Sequence, residues 1–170
     1  AGGTNILTVN AGTSTIDFHG AVSGLGALAD ATAALVITAG GTGTVFHSTL
    51  GANNGLSVAG PVTFMDDVTF ANGNAGSVFT GLVTFAKAGG MTLSGYDTMR
   101  FSGGVVLQNG PATINTNNSA LTFENANTIS GAYALTLNSG TATITGLDHV
   151  GSNITNLTVT AYAPTIPSGG

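Results

Sequence analysis

The stretch from Leu56 to Phe85 reads LSVAGPVTFMDDVTFANGNAGSVFTGLVTF, with Val-Thr-Phe recurring at 62–64, 68–70 and 83–85. Apolar, polar, apolar in succession is a period of two, the pattern of a short strand with one face buried. The residues between the triplets are mainly Gly, Pro, Asn and Asp, which turn a chain. Followed outward in steps of 21 or 22, the pattern gives three files of large apolar residues. The first runs Ile16, Ile37, Val58, Phe79, Phe101, Phe123, Ile144, with Ile166 one residue late. The second runs Val22, Phe64, Phe85, Leu107, Ile129, Val150 and is interrupted at Gly43; the third runs Leu50, Phe70, Leu93, Ile114, Leu137, Val159. Three strands and three corners per repeat describe one coil of a parallel β-helix, in which each strand pairs with its counterpart one coil along. The expected fold is therefore an all-β solenoid of roughly seven coils of 21–22 residues with three short strands per coil. At about 4.8 Å per coil the rod is about 34 Å long.

This register makes specific demands. Phe79 should stack on Phe101 and Phe101 on Phe123, with Phe64 on Phe85, while Thr69, Thr92, Thr113, Thr136 and Thr158 point outward as a hydroxyl array. Gly60, Gly81, Gly103, Asn125 and Gly146 fall two residues after members of the first file. Gly and Asn adopt left-handed backbone angles more readily than other residues, so a recurrent corner with positive φ is expected there. Gly24 to Leu35 is rich in Ala and has Leu25, Leu28 and Leu35 at helix-like spacing, which reads either as a short helix or cap or as another coil. The Asn- and Gly-rich stretches 52–55, 72–76 and 115–119 read as corner loops. The domain reading is a single solenoid over 1–162, followed by a tail or linker over 163–170 whose Pro164 and Pro167 cannot donate to a ladder.

Composition narrows the function classes. Of 170 residues only 2 are Lys or Arg and 7 Asp or Glu, a net charge of −5. With no basic stripe, binding to nucleic acid lacks its main energetic term. A hydrophobic fraction of 42% is enough for a core and argues against disorder. The absence of Cys removes disulfides and thiolate metal sites. Gly and Thr each occur 27 times and Asn 15 times, a mixture of strand and turn formers. No apolar run approaches the roughly 20 residues of a membrane span. The start at Ala1-Gly2-Gly3, without an initiator Met, reads as a mature or excised piece whose targeting signal has been removed.

The segments Ile129 to Gly140, Ala142 to Gly146 and Asn153 to Ala161, together with the Val-Thr-Phe triplets, resemble the β-strand repeats of very large bacterial surface proteins of the filamentous haemagglutinin type. The resemblance covers roughly residues 56–161. It implies an exported parallel β-helix serving as stalk, adhesin or matrix fibre, and it carries no catalytic residues with it.

Few residues offer chemistry. Asp66 and Asp67 are the obvious carboxylate pair, and Lys87 lies at the equivalent position one coil on. They read as a surface ion pair, with a calcium site and glycoside hydrolysis by paired carboxylates as alternatives. Asp148-His149 falls in the outward half of a strand triplet, without a nucleophile beside it. His19 and His47 lie in different coils from each other and from His149, which argues against a zinc cluster. Arg100, the other cation, belongs to a different sheet from Lys87. No catalytic, cofactor-binding or metal-ligating residue is assigned, and no cofactor is expected.

The expected function is non-enzymatic: an extracellular or cell-surface structural or adhesive solenoid, part of a large adhesin, a biofilm matrix fibre or a filament subunit. Self-association along the solenoid axis is expected, with host or matrix glycans as further partners and no membrane insertion. The alternative is a ligand-binding module that uses the outward Thr face for polysaccharide or ice.

Overall fold

In the computed structural model, residues 5–26, 32–39, 41–71, 75–124 and 129–162 are described. The chain winds as a β-solenoid of three parallel sheets. The first holds β1 (Leu7–Asn10), β4 (Leu35–Ala39), β7 (Leu56–Val58), β10 (Ser77–Phe79), β13 (Met99–Phe101), β16 (Leu121–Phe123) and β19 (Ile144–Thr145). The second holds β2 (Ile16–Phe18), β5 (Thr44–Phe46), β8 (Val62–Phe64), β11 (Val83–Phe85), β14 (Val105–Leu107) and β17 (Ile129–Ser130), which Val150 extends by a bridge to Ile129. The third holds β3 (Val22–Leu25), β6 (Leu50–Ala52), β9 (Val68–Phe70), β12 (Met91–Ser94), β15 (Ala112–Asn115), β18 (Ala134–Asn138) and β20 (Asn156–Thr160). Among the described residues there is no α-helix, only a single 3₁₀ turn at Leu147–His149.

Strands form because the outer residues of each triplet, such as Val83 and Phe85, are buried while the middle one reaches the surface. The core is a column of stacked rings. Phe79 and Phe101 lie 5.0 Å apart and Phe101 and Phe123 5.3 Å, both nearly parallel, and Phe64 stacks on Phe85 at 6.4 Å. Phe64 also meets Phe79 edge-on at 6.1 Å, joining the stacks of the first and second sheets. Each such contact adds about 0.5–1.5 kcal/mol beyond burial.

The files hold through the middle of the rod and fail at its beginning. From β4 to β19 the repeat makes five turns of 21–23 residues, as the pairs Leu35 with Leu56 and Leu121 with Ile144 bracket. Before them, Leu7 pairs with Leu35, 28 positions on. The corner after the first-sheet strand is longer in the first two turns: Leu35 to Thr44 spans nine positions, but Leu56 to Val62 only six. Ile16 consequently lies in the second sheet, paired with Thr44, and Val9 takes the seat expected for it beside Ile37. Val22 belongs to the third sheet, paired with Leu50. The interruption at Gly43 vanishes because Phe46 fills that seat, between Phe18 at 4.6 Å and Phe64 at 5.4 Å.

Shifts of two residues occur elsewhere. Leu93 pairs with Val68 rather than Phe70, Ile129 with Val105 rather than Leu107, and Ile144 with Leu121 rather than Phe123. Corners of unequal length cause them, and two residues preserve the buried face where one would invert it.

The corner glycines are a partial correction. Gly60 (φ 91°) and Gly146 (φ 81°) are left-handed, but Gly81 and Gly103 are not. A Cβ on Gly81 would lie 2.1 Å from the carbonyl carbon of Gly60, and one on Gly103 2.1 Å from the carbonyl oxygen of Gly81. These glycines are needed because successive corners touch backbone to backbone. Asn125 lies outside the described residues, as do residues 27–31, on which much of the helix-or-cap reading falls, and the tail 163–170. Leu25 ends β3 and Leu35 opens β4.

Candidate functional site

The polar side chains gather at corners, where the chain leaves one sheet for the next. After β8, Met65-Asp66-Asp67 leads into β9; one turn on, the longer corner Ala86 to Gly90 carries Lys87 back toward them. Lys87 Nζ donates to Asp67 Oδ2 at 2.7 Å and lies 2.9 Å from Asp66 Oδ1. Asp67 Oδ1 accepts the backbone N–H of Thr92 at 2.8 Å, and Asp66 Oδ1 accepts that of Asp67. The hydrogen bond from Lys87, then that from the Asp67 amide, holds the Asp66 carboxyl below its usual range; Asp67 first, then Asp66, raises the Lys87 ammonium above its own. Both shifts favour the charged forms, so the cluster is a clamp between ions already satisfied. It is the ion pair read from the sequence, with Asp67 joined to Asp66 in one three-membered group. A carboxylate kept ionised beside an ammonium is poorly suited to general acid work.

On the first two turns, His19 and His47 follow Phe18 and Phe46 at the same corner. Their rings stack at 4.6 Å and 12°, and His47 Nε2 lies 3.2 Å from Asp17 Oδ1. The two histidines do lie in different coils, but the coils are adjacent and in equal register, which brings the rings together. The side chain of His149 lies outside the described ones. Asp148-His149 is not in a strand: it lies in the 3₁₀ turn, whose Leu147 is buried while Asp148 is exposed. Among the described residues no group of three or more His, Asp or Glu is arranged to hold a metal ion.

Arg100, exposed on β13, reaches Glu124 Oε1 at 3.4 Å, and Ser102 donates to Glu124 Oε2 at 2.7 Å. The outer face of the third sheet carries Thr92, Thr113, Thr136 and Thr158 in register on four consecutive strands. Thr69 is not among them. It pairs with Ser94, and the neighbouring rank continues through Asn115, Asn138 and Thr160. In that rank Asn115 and Asn138 turn inward on their own loops, accepting the N–H of Asn117 and Gly140 at 3.0 and 2.9 Å. Ser23, Gly51, Ala52, Asn53 and Thr69 line a shallow, mainly apolar depression near the start of this sheet.

The repeated Phe-His dipeptide at 18–19 and 46–47 was the signal that could have paired the histidines. Its spacing of 28 departs from the 21- or 22-residue repeat of the later turns.

No family model matches the chain, and neither curated proteins nor solved structures give a match.

Proposed function

We propose that the chain is a non-enzymatic structural β-solenoid of the bacterial cell surface or extracellular matrix, acting as a stalk segment of a large adhesin or as a subunit assembling end to end. The observation that supports this reading is the distribution of incompletely buried apolar residues. Leu7, Val9, Phe18, Val22 and Leu25 at one end, and Val150, Ile154 and Val159 at the other, are only partly buried, whereas their counterparts in the middle turns are buried. Ile6, Leu157 and Tyr162 are exposed beside them. The outermost strands of the first and third sheets, and β2 of the second, also have a partner strand on one side only among the described residues. Unpaired strand edges over an apolar column favour continuation by further strands. A copy stacked head to tail makes a heterologous contact that does not close and so propagates. Five net negative charges per chain oppose it only weakly in salt.

Light scattering and electron microscopy of the purified chain test the assembly: concentration-dependent rods are expected. A monomer at all concentrations would refute the filament and leave the stalk. A second reading, glycan or ice binding through the third sheet, is favoured by the register of its four threonines. A glycan array and an ice-recrystallisation assay separate it from a purely structural role.

A further inference from the structure

We propose that His19 and His47 form a binding site for one divalent transition-metal ion of the zinc or copper class, with Asp17 as the residue that positions His47. The proposal stands on the geometry of one corner and is independent of end-to-end assembly.

Three features of that corner point to it. First, the two imidazoles are neighbours by construction. Ile16 pairs with Thr44 and Phe18 with Phe46, so His19 and His47, each the next residue, share one position of the repeat just past the ends of adjacent strands. The stacked Phe18 and Phe46 rings beneath them, also 4.6 Å apart, fix the spacing from the core side. Second, both histidines are exposed, so passing from stacked to chelating rings needs side-chain rotation alone. Two ring nitrogens on one ion at about 2.0–2.1 Å each must come within roughly 3.4 Å of one another. Strands about 4.8 Å apart allow that. Third, His47 Nε2 faces Asp17 Oδ1 at 3.2 Å. An Nε2–H donated to that carboxylate leaves the lone pair on Nδ1, which is how carboxylates commonly orient a ligating imidazole and raise its basicity. Asp17 is exposed in β2 and His19 just beyond its end, and His47 touches both, bonding the one and stacking on the other, so all three groups share one outward patch. Imidazole nitrogen suits zinc, copper and nickel over the hard ions calcium and magnesium. Water completes the coordination, and the net charge of −5 favours a bound cation.

The test is titration of the whole chain with zinc chloride, followed by calorimetry and by proton–nitrogen correlation of the imidazole rings. One zinc ion per chain is expected, with the largest shifts at Nδ1 of His47 and at one nitrogen of His19. His19→Ala and His47→Ala should each weaken binding at least tenfold, and Asp17→Asn about ten- to hundredfold. His149→Ala should leave it unchanged. Circular dichroism distinguishes loss of the site from loss of fold, which is not expected at exposed positions. Absence of saturable binding, or binding indifferent to both His19→Ala and His47→Ala, would overturn the site. Full binding by Asp17→Asn would overturn the role of the carboxylate.

Discussion

Replacing Gly81 by Ala adds one methyl group at a place with no room for it. The new Cβ would lie 2.1 Å from the carbonyl carbon of Gly60, 2.2 Å from its oxygen and 2.5 Å from the nitrogen of Pro61. That is roughly 1.4 Å inside an ordinary carbon contact of about 3.5 Å. All three atoms are backbone, so relief requires the turns to part locally. The corner is framed by ladder bonds from Thr80 N–H to Val58 O at 3.0 Å and from Val62 N–H to Leu82 O at 2.8 Å. Weakening two such bonds, at about 0.5–1.5 kcal/mol each, on top of an overpacking cost of about 1–3 kcal/mol, gives a destabilisation of about 2–6 kcal/mol. Gly12 is the control. It is left-handed at φ 59° with open space where its Cβ would be, so Gly12→Ala meets only backbone strain, about 1–2 kcal/mol, partly offset by the lower entropy of the unfolded chain. Urea denaturation of both variants measures the difference as the midpoint shift at constant slope. Gly81→Ala unfolding at the same midpoint as Gly12→Ala, or above it, would refute the close-approach argument.

Phe101→Ala should destabilise by about 3–5 kcal/mol, since Phe101 is fully buried between Phe79 and Phe123, whereas Thr136→Ala on the outer face should change stability by about 0.5 kcal/mol or less; equal effects in denaturant would contradict the assignment of faces. For the Lys87 clamp, the lowered Asp66 value means its contribution is present above the ordinary carboxylate range near pH 4 and lost as pH falls through the folded value. The raised Lys87 value means a contribution complete below about pH 10.4 and lost as pH rises through the folded value. Lys87→Met should therefore cost about 1 kcal/mol or less at neutral pH, with the gap from wild type closing as pH falls through the folded Asp66 value, below the ordinary carboxylate range; a gap that persists once the carboxylates are protonated would show that the clamp acts by packing.

How much of this was legible depends on whether the spacing stayed constant. Val62, Val83 and Val105 repeat at 21 and 22, and their pairing, with Phe64 on Phe85, followed directly from the sequence. The first two turns repeat at 28. LTVNAGTSTIDFH from Leu7 and LVITAGGTGTVFH from Leu35 align residue for residue at Leu, Ala-Gly and Phe-His. A fixed step of 21 or 22 passes over that match and seats Ile16 and Val22 in the wrong sheets. The two-residue slips were illegible for a different reason: they keep every apolar side chain inward, so hydrophobicity alone does not register them. For the glycine corner, the recurrence of Gly was visible but its cause was not. Conformational freedom and close approach select the same residue, and only coordinates separate Gly60 from Gly81. In the candidate sites, the partner of Lys87 followed from coil position alone, while the meeting of His19 with His47 depends on the 28-residue spacing of the first turn.

The direction of the ladder bonds has a mechanical meaning. Each internal strand pairs with the strands one turn before and one turn after, so its hydrogen bonds lie nearly along the rod. Tension applied along that axis loads the turns in series and peels them singly, because the bonds of one strand open without shearing those of the next. Each turn contributes only about 4.8 Å to the length of the folded rod. Released, its roughly 22 residues extend to about 75 Å at about 3.4 Å each. A solenoid of this kind under load would yield in steps, lengthening some fifteenfold per turn while the turns behind the break keep their packing.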